Sequence, residues 1–122
     1  MNLIHIILAT FVLYLIQVWL LKVVFIKNKA FLLGNRDEEP VDTLIIGRIK
    51  RAANNLKENL FPFLTLSVLA IVLGREVTQI ALIWLAFRIT YLMAYLFGIA
   101  QLRALFWFGS LICLILMAIE LL

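Results

Sequence analysis

Residues 3–21 read LIHIILATFVLYLIQVWLL, a run without a single acidic, lysine or arginine side chain. About 20 apolar residues in a helix are enough to cross the hydrocarbon core of a bilayer. Lys22 follows this run directly, and Lys27 and Lys29 come soon after it, as basic residues do where a membrane helix reaches the interface. The stretch therefore predicts a first membrane-spanning helix.

The composition of the whole chain extends this prediction to four helices. Of the 122 residues, 66% are hydrophobic, whereas in soluble domains about half are. The length allows about four spans of ~20 residues with short connections between them. We expect one domain, residues 1–122, folded as an all-α integral membrane bundle of four helices with left-handed, up-down topology. The expected helices are residues 3–26, 43–73, 77–99 and 104–121.

The basic residues predict how the bundle is oriented. The net charge of +4 comes from 11 Lys and Arg residues against 7 acids, and most of the basic ones lie between positions 22 and 57. The second connection carries only Arg75, whereas Arg103 marks the third, which lies on the same side as the first. By the positive-inside rule we expect a multi-pass protein of the inner, cytoplasmic membrane, with both termini outside and connections one and three in the cytoplasm.

The residue inventory disfavours two kinds of partner. Basic residues that flank membrane segments favour contact with membrane lipid over binding of nucleic acid. With a single histidine, His5, and a single cysteine, Cys113, the chain cannot build a His-rich metal site, a CxxC arrangement or a disulfide framework. We therefore expect no nucleic-acid partner and no metal.

The second expected helix carries the main polar stretch of the chain, which reads RIKRAANNLKENLFPF at residues 48–63. Asp42 or Thr43 can cap the start of this helix, and Gly74 can end it. One helical stripe about 80° wide, with 3-4-3-4 spacing, contains Arg48, Arg51, Asn55, Glu58 and Pro62. Charged side chains inside a membrane are costly unless they face a partner or a ligand. The stripe is therefore where we expect the function to lie.

A second polar face lies on the third expected helix, where Tyr91 and Tyr95 follow Arg88 at i+3 and i+7. At ~1.5 Å per residue, Glu58 stands about 24 Å above the outer turn and Arg88 about 17 Å above it. An arginine side chain can extend several ångströms along the membrane normal. An ion pair between Glu58 and Arg88 can therefore form, and we expect the two polar faces to meet.

Two interpretations of these charges remain open. The Glu58–Arg88 pair by itself could simply fix the register of two helices. The excess of arginines over this one acid favours an anionic ligand instead, because guanidinium groups bind carboxylates in a bidentate way. A small peptide with carboxylates and an amine would fit this mixture. Arg103 could hold a thiol as its thiolate, or it could be an ordinary interfacial arginine.

Two segments resemble motifs of a known membrane family. Residues 51–64, RAANNLKENLFPFL, resemble the second-helix motif RAxxNxxExxxPF of the MAPEG family, the membrane-associated proteins of eicosanoid and glutathione metabolism. Residues 87–95, FRITYLMAY, followed by AQLR at 100–103, resemble the third helix of this family and its exit. The similarity covers nearly the whole chain, whose short, compact form is similar to the bacterial branch.

The resemblance implies a homotrimer of four-helix subunits, with the cosubstrate glutathione bound between neighbouring subunits near the cytoplasmic face. By position, Arg103 is implied to stabilise the glutathione thiolate and so to be the catalytic residue. The residues implied to bind glutathione are Lys29, Arg51, Asn55, Glu58, Arg88, Tyr91 and Tyr95.

The resemblance also implies a membrane-embedded glutathione-dependent transferase or peroxidase that acts on lipophilic electrophiles arriving through the lipid. The alternative is a non-enzymatic membrane binding or scaffold protein that kept the fold without glutathione. Ala53 and Asn54 favour the alternative, because eukaryotic glutathione-binding members carry polar and basic residues at these positions. The spacing from Tyr95 to Arg103, which is longer than in those members, is a further departure from their pattern. A small four-helix multidrug exporter ranks last, because such proton-coupled carriers need an acid in the first membrane helix, and residues 3–21 hold none.

Overall fold

The computed structural model describes residues 2–25, 34 and 43–122. Four helices in these ranges are long and apolar enough to cross a membrane, and the described residues contain no strand. The helices are α1 (Leu3–Phe25), α2 (Leu44–Leu73), α3 (Thr78–Phe97) and α4 (Ala100–Glu120). The prediction of an all-α four-helix membrane bundle is confirmed.

Helix α1 contains a wider turn that its apolar pattern did not predict. It begins at a capping box, in which the Asn2 side chain accepts a hydrogen bond from the His5 N–H at 3.0 Å. After Leu3–Leu15 the helix passes through a π-helical turn, Ile16–Leu20, before it continues to Phe25. This turn directs Gln17 into the bundle, where its amide is fully buried and has no hydrogen-bond partner among the described residues. Single π-helical turns of this kind often mark functional sites.

Helix α2 begins and ends as its sequence predicts. The Thr43 hydroxyl caps its first turn by accepting a hydrogen bond from the Ile46 N–H at 3.3 Å. Gly74 ends it in the left-handed conformation, with φ at 68°. The 30 residues between these caps span roughly 45 Å and continue through Pro62. Since the hydrocarbon core is about 30 Å thick, α2 extends well past it at one end.

The second connection, Arg75 to Val77, is short. The Glu76 carboxylate accepts a hydrogen bond from the Thr78 N–H at 2.9 Å and so caps the start of α3. Hydrogen bonds from the side chain and the backbone of Thr78 lower the pKa of this carboxyl, which lies outside the membrane-spanning segments.

The third connection is shorter than the sequence predicts. We expected α4 to begin at Ala104 after a turn, but it begins at Ala100. The chain reverses within two residues because Gly98 adopts φ of 74°, a conformation that glycine reaches without strain. The first backbone hydrogen bond of α4 runs from the Arg103 N–H to the Ile99 carbonyl at 3.0 Å. Arg103 therefore lies in the first turn of a helix rather than in a loop before it.

Close packing in the core rests on aromatic side chains and small residues. The rings of Phe63 on α2 and Trp84 on α3 stack with centroids 3.8 Å apart and planes 7° from parallel. Gly109 on α4 faces the Phe87 ring so closely that a Cβ there would lie 2.7 Å from it. The outward faces expose many large apolar side chains, as expected of helices that contact lipid.

Candidate functional site

A pocket at the end of the bundle opposite Gly74 is lined by three helices and collects basic side chains from two of them, α2 and α4. We call it the arginine pocket. It has a volume of about 230 Å³, and its lining consists of Arg48, Arg51, Ala94, Tyr95, Gly98, Ile99, Ala100 and Arg103. Three of these residues are arginines, and none of the described residues in the lining is acidic. Such a lining favours an anionic ligand.

Tyr95 contacts two of the three arginines in this pocket. The Arg51 Nε donates a hydrogen bond to the Tyr95 hydroxyl at 3.0 Å. The Arg51 Cζ lies 5.9 Å from the centroid of the Tyr95 ring, and the Arg103 Cζ lies 4.9 Å from it. Contact with an aromatic face attracts a cation but leaves its charge in place. One neutral ring thus positions two guanidinium groups whose charge remains available to a ligand.

Arg48 joins α2 to the end of α3. Its Nη1 donates a hydrogen bond to the Leu96 carbonyl at 3.3 Å, one of the carbonyls that the end of a helix leaves without an intrahelical partner. The guanidinium lies directly against Gly98, where a Cβ would stand 2.8 Å from the Arg48 Nη2. Gly98 therefore serves two purposes, since it supplies the turn and leaves room for Arg48.

The start of α4 adds to the positive character of the pocket. Ile99, its N-cap residue, makes no side-chain capping hydrogen bond, and Ile99 and Ala100 both line the pocket. The first N–H groups of a helix lack intrahelical acceptors and carry the positive end of the helix dipole. They reinforce the preference of the three arginines for an anion.

Arg103 also lines a second pocket, which we call the lateral pocket. This pocket too has a volume of about 230 Å³, and its lining consists of Asn55, Tyr91, Arg103, Ala104 and Trp107. Ala104 is exposed on α4. Because Arg103 belongs to both linings, its guanidinium can contact ligands in both pockets.

Arg88 does not form the ion pair that we considered from the sequence. Its side chain is fully buried, and none of its guanidinium nitrogens has a hydrogen-bond partner among the described residues. It packs instead on the Tyr91 ring, with the Arg88 Cζ 4.4 Å from the ring centroid. Glu58 is exposed, because α2 turns the face of Leu56 and Phe63 towards the core. Arg88 therefore points into the interior of the bundle, whereas Glu58 points to its outer surface.

The predicted site residues thus fall into separate groups. The arginine pocket receives Arg51, Tyr95 and Arg103, and the lateral pocket receives Asn55, Tyr91 and again Arg103. Glu58 and Arg88 line neither of these two pockets. Lys29 lies outside the described residues.

Arg48 belongs to the polar stripe in which we expect the function to lie, although the resemblance does not imply a role for it. Two further residues shape the site without a signal in the sequence. Gly98 falls inside the expected third helix, and Trp107 is one of several aromatic residues in an apolar run. In the described part of the chain, no group of three or more His, Cys, Asp or Glu side chains could hold a metal ion.

Comparison with known proteins gives one match. A family model described as the MAPEG family matches residues 3–122, which is essentially the whole chain. No curated protein and no solved structure matches.

Proposed function

The chain belongs to the MAPEG family, and on that premise we propose that it is a membrane-embedded transferase or peroxidase that uses glutathione against lipophilic electrophiles. Membership supports a membrane function related to glutathione at the level of the family. The finer proposal depends on one observation, the arginine pocket with three guanidinium groups and no described acidic residue in its lining.

Glutathione suits the charge of this pocket. It carries two carboxylates and one ammonium group, and one further negative charge when its thiol is ionised. Arg48 and Arg51 can each bind a carboxylate through paired N–H groups. Arg103, held against Tyr95 at 4.9 Å, is left to face the sulfur. A fixed cation beside a thiol lowers the pKa of that thiol and keeps the sulfur as the nucleophilic thiolate.

The lateral pocket supplies a place for the electrophile. It shares Arg103 with the arginine pocket, so a sulfur atom beside that guanidinium can reach a substrate that enters past Ala104. In a transfer reaction the thiolate forms a bond to the electrophilic carbon, and the leaving group departs with its electron pair. The Tyr91 hydroxyl, the Asn55 amide and the Arg103 guanidinium can donate hydrogen bonds to the charge that develops there.

The exposed face of α2 supports a second copy of the chain as a partner. Arg51, Asn54, Lys57 and Glu58 are all exposed on α2. Glu58 stands about 24 Å above Gly74, which is within the depth of a hydrocarbon core about 30 Å thick. Charged groups at that depth normally face protein rather than lipid. We therefore propose that a neighbouring subunit covers Glu58, which faces the ammonium group of glutathione. That the assembly is a homotrimer is what the family resemblance implies.

The remaining expected contacts belong to the same proposal. Lys29 and Arg88 would complete the charge around the tripeptide, Arg88 by way of Tyr91. The arginine pocket would open to the cytoplasm, which supplies glutathione. Both termini would lie on the opposite, outer side of the inner membrane. The electrophile would enter from the lipid.

Calorimetric titration of the detergent-solubilised protein with glutathione tests the proposal. We expect saturable binding at millimolar thiol or below, and Arg51→Ala should weaken it at least tenfold, since a hydrogen bond between charged groups contributes about 1.5–3 kcal/mol. Arg75→Ala is the matched control, because Arg75 is exposed in the connection at the far end of the bundle. No saturable binding, with Arg51→Ala indistinguishable from the wild type, would refute the proposal.

The same titration separates the enzyme from the non-enzymatic alternative. Thiolate formation is followed by its ultraviolet absorbance as glutathione is added. Binding without a rise in thiolate would favour a binding or scaffold protein. One argument for that alternative is weakened by the structure: Ala53 is 1% exposed and packs in the core, so its apolar side chain has a structural explanation.

A further inference from the structure

The depth of the arginine pocket matches the layer of lipid headgroups. At ~1.5 Å per residue, Arg51 stands about 35 Å above Gly74. By the same measure Tyr95 stands about 26 Å above Thr78, and Arg103 about 26 Å above Glu120. The hydrocarbon core is about 30 Å thick, and each headgroup layer adds about 5–7 Å. The pocket therefore lies at the boundary where the phosphates of phospholipids are found.

Exposed apolar side chains stand on, or next in sequence to, the lining residues Gly98, Ile99 and Arg103, and we call them the apolar rim. Ile99 lines the pocket and is 45% exposed, while the neighbouring Phe97 and Leu102 are 70% and 40% exposed. A pocket that takes only a water-soluble anion needs no such rim. An acyl chain lying on these side chains would shield them from water, while its phosphate reached the arginines. The combination of a cationic interior and an apolar rim fits an amphipathic anion.

The interior offers the chemistry that a phosphate requires. Guanidinium groups bind phosphate oxygens through paired N–H groups, and three of them meet here without a described acid between them. Basic groups at a membrane surface also attract anionic lipids from the surrounding leaflet. A free phosphate ion would meet the same groups, so only the apolar rim separates the two sources of phosphate.

We propose that the arginine pocket binds the phosphate of an anionic phospholipid from the adjacent leaflet, and that glutathione must displace this lipid. The lipid is then a resident competitor, and the anionic lipid content of the membrane regulates the site. The binding of lipid depends only on the pocket and its depth. Its competition with glutathione depends on the proposed function.

Lipid binding is tested on the full chain in detergent without glutathione. Dissociation constants are measured for dioctanoyl phosphatidylglycerol, dioctanoyl phosphatidylcholine and inorganic phosphate. We expect phosphatidylglycerol to bind at least tenfold more tightly than either of the others, and Arg51→Gln to remove most of this difference. Equal affinity for the two lipids, or for phosphatidylglycerol and inorganic phosphate, would overturn the proposal, as would full retention of binding in Arg51→Gln.

A variant of the rim separates the lipid from a free anion. Phe97→Ser should weaken phosphatidylglycerol binding at least threefold and leave the affinity for inorganic phosphate unchanged. Phe108→Ser is the matched control, since Phe108 is 57% exposed on α4 and lines neither pocket. If Phe97→Ser and Phe108→Ser have the same effect, the acyl chain does not lie on the rim and that part of the proposal is overturned. The wild-type comparison of the three ligands remains decisive even if a variant fails to fold.

Competition is tested in nanodiscs of phosphatidylcholine with and without phosphatidylglycerol. A surface potential of about −30 mV alone reduces the local concentration of a monoanion about threefold. We expect the apparent dissociation constant of glutathione to rise at least tenfold in the wild type and only about fivefold in Phe97→Ser, where the lipid binds about threefold more weakly. An equal threefold rise in both would exclude competition in the pocket. No glutathione binding in pure phosphatidylcholine would refute the proposed function instead, and the lipid titration would be unaffected.

Discussion

Gly98→Ala tests how the turn between α3 and α4 holds Arg48. Gly98 and Gly74 both end a helix in the left-handed conformation, with φ of 74° and 68°. A Cβ on Gly98 would lie 2.8 Å from the Arg48 Nη2, whereas a Cβ on Gly74 would meet no atom within 4 Å. Gly74→Ala therefore measures the backbone effect alone. Gly98→Ala adds the displacement of Arg48.

The magnitudes follow from these two contributions. A left-handed conformation costs an L-residue about 1–2 kcal/mol relative to glycine. Displacing Arg48 removes its hydrogen bond to the Leu96 carbonyl, which we take as about 1 kcal/mol because the bond is 3.3 Å long and only partly buried. We expect Gly74→Ala to lower the free energy of unfolding by about 1–2 kcal/mol, and Gly98→Ala by about 2–3 kcal/mol. Only Gly98→Ala should also weaken glutathione binding.

Reversible unfolding in mixed micelles measures the first effect, and calorimetry measures the second. The additional loss should disappear in an Arg48→Gln background, where Gly98→Ala should cost no more than Gly74→Ala. Equal destabilisation by the two alanines in the wild-type background, with binding unchanged in both, would show that the Arg48 contact has no energetic role.

Three further predictions concern single side chains of the site. Tyr95→Phe removes the hydroxyl that accepts the Arg51 hydrogen bond but keeps the ring that contacts Arg103. We expect the affinity for glutathione, measured by calorimetry, to fall about two- to fivefold. An unchanged affinity would show that this hydrogen bond does not position Arg51. Arg103→Gln removes the cation that we propose beside the sulfur, so the pKa of the bound thiol should rise and the pH–rate profile should shift to higher pH. An unshifted profile would exclude thiolate stabilisation by Arg103. Arg88→Met removes a buried guanidinium that has no hydrogen-bond partner in the described part of the chain, so relief of about 3 kcal/mol should roughly offset the loss of about 2 kcal/mol of cation–π contact with Tyr91. A loss of more than about 2 kcal/mol in the unfolding free energy of Arg88→Met would instead indicate an anionic partner for this arginine.

The helices could be predicted because their signals are local. The run at residues 3–21 identifies the first span by composition alone, and Gly74 marks the end of α2 by its conformational freedom. The π-helical turn at Ile16–Leu20 could not be predicted, because wider turns of this kind leave no mark in an apolar sequence. The early start of α4 depends on Gly98, which ends α3 although it falls inside the expected third helix, residues 77–99.

The sequence predicts how deep the site residues lie along their helices, but not the direction in which their side chains point around the helix axis. The rise per residue brings Tyr95 to about the level of Asn55, one helical turn from Arg51, and the Tyr95 hydroxyl lies 3.0 Å from the Arg51 Nε. The same measure brought Glu58 near Arg88, but Glu58 follows the core residue Leu56 by two positions and so points about 200° away from it. In a helix with apolar residues on every side, the sequence does not show which face meets the core.

The lateral pocket, which reaches exposed Ala104 on the side of α4, affects how the kinetics of the proposed reaction must be measured. A substrate that enters there is drawn from the membrane, where lipophilic molecules accumulate far above their level in water. The concentration that governs saturation is then the mole fraction in the lipid. Adding empty vesicles at constant total substrate should dilute the substrate and lower the rate, while the glutathione dependence stays fixed. Michaelis constants for the electrophile are therefore comparable only between assays that contain the same amount of lipid.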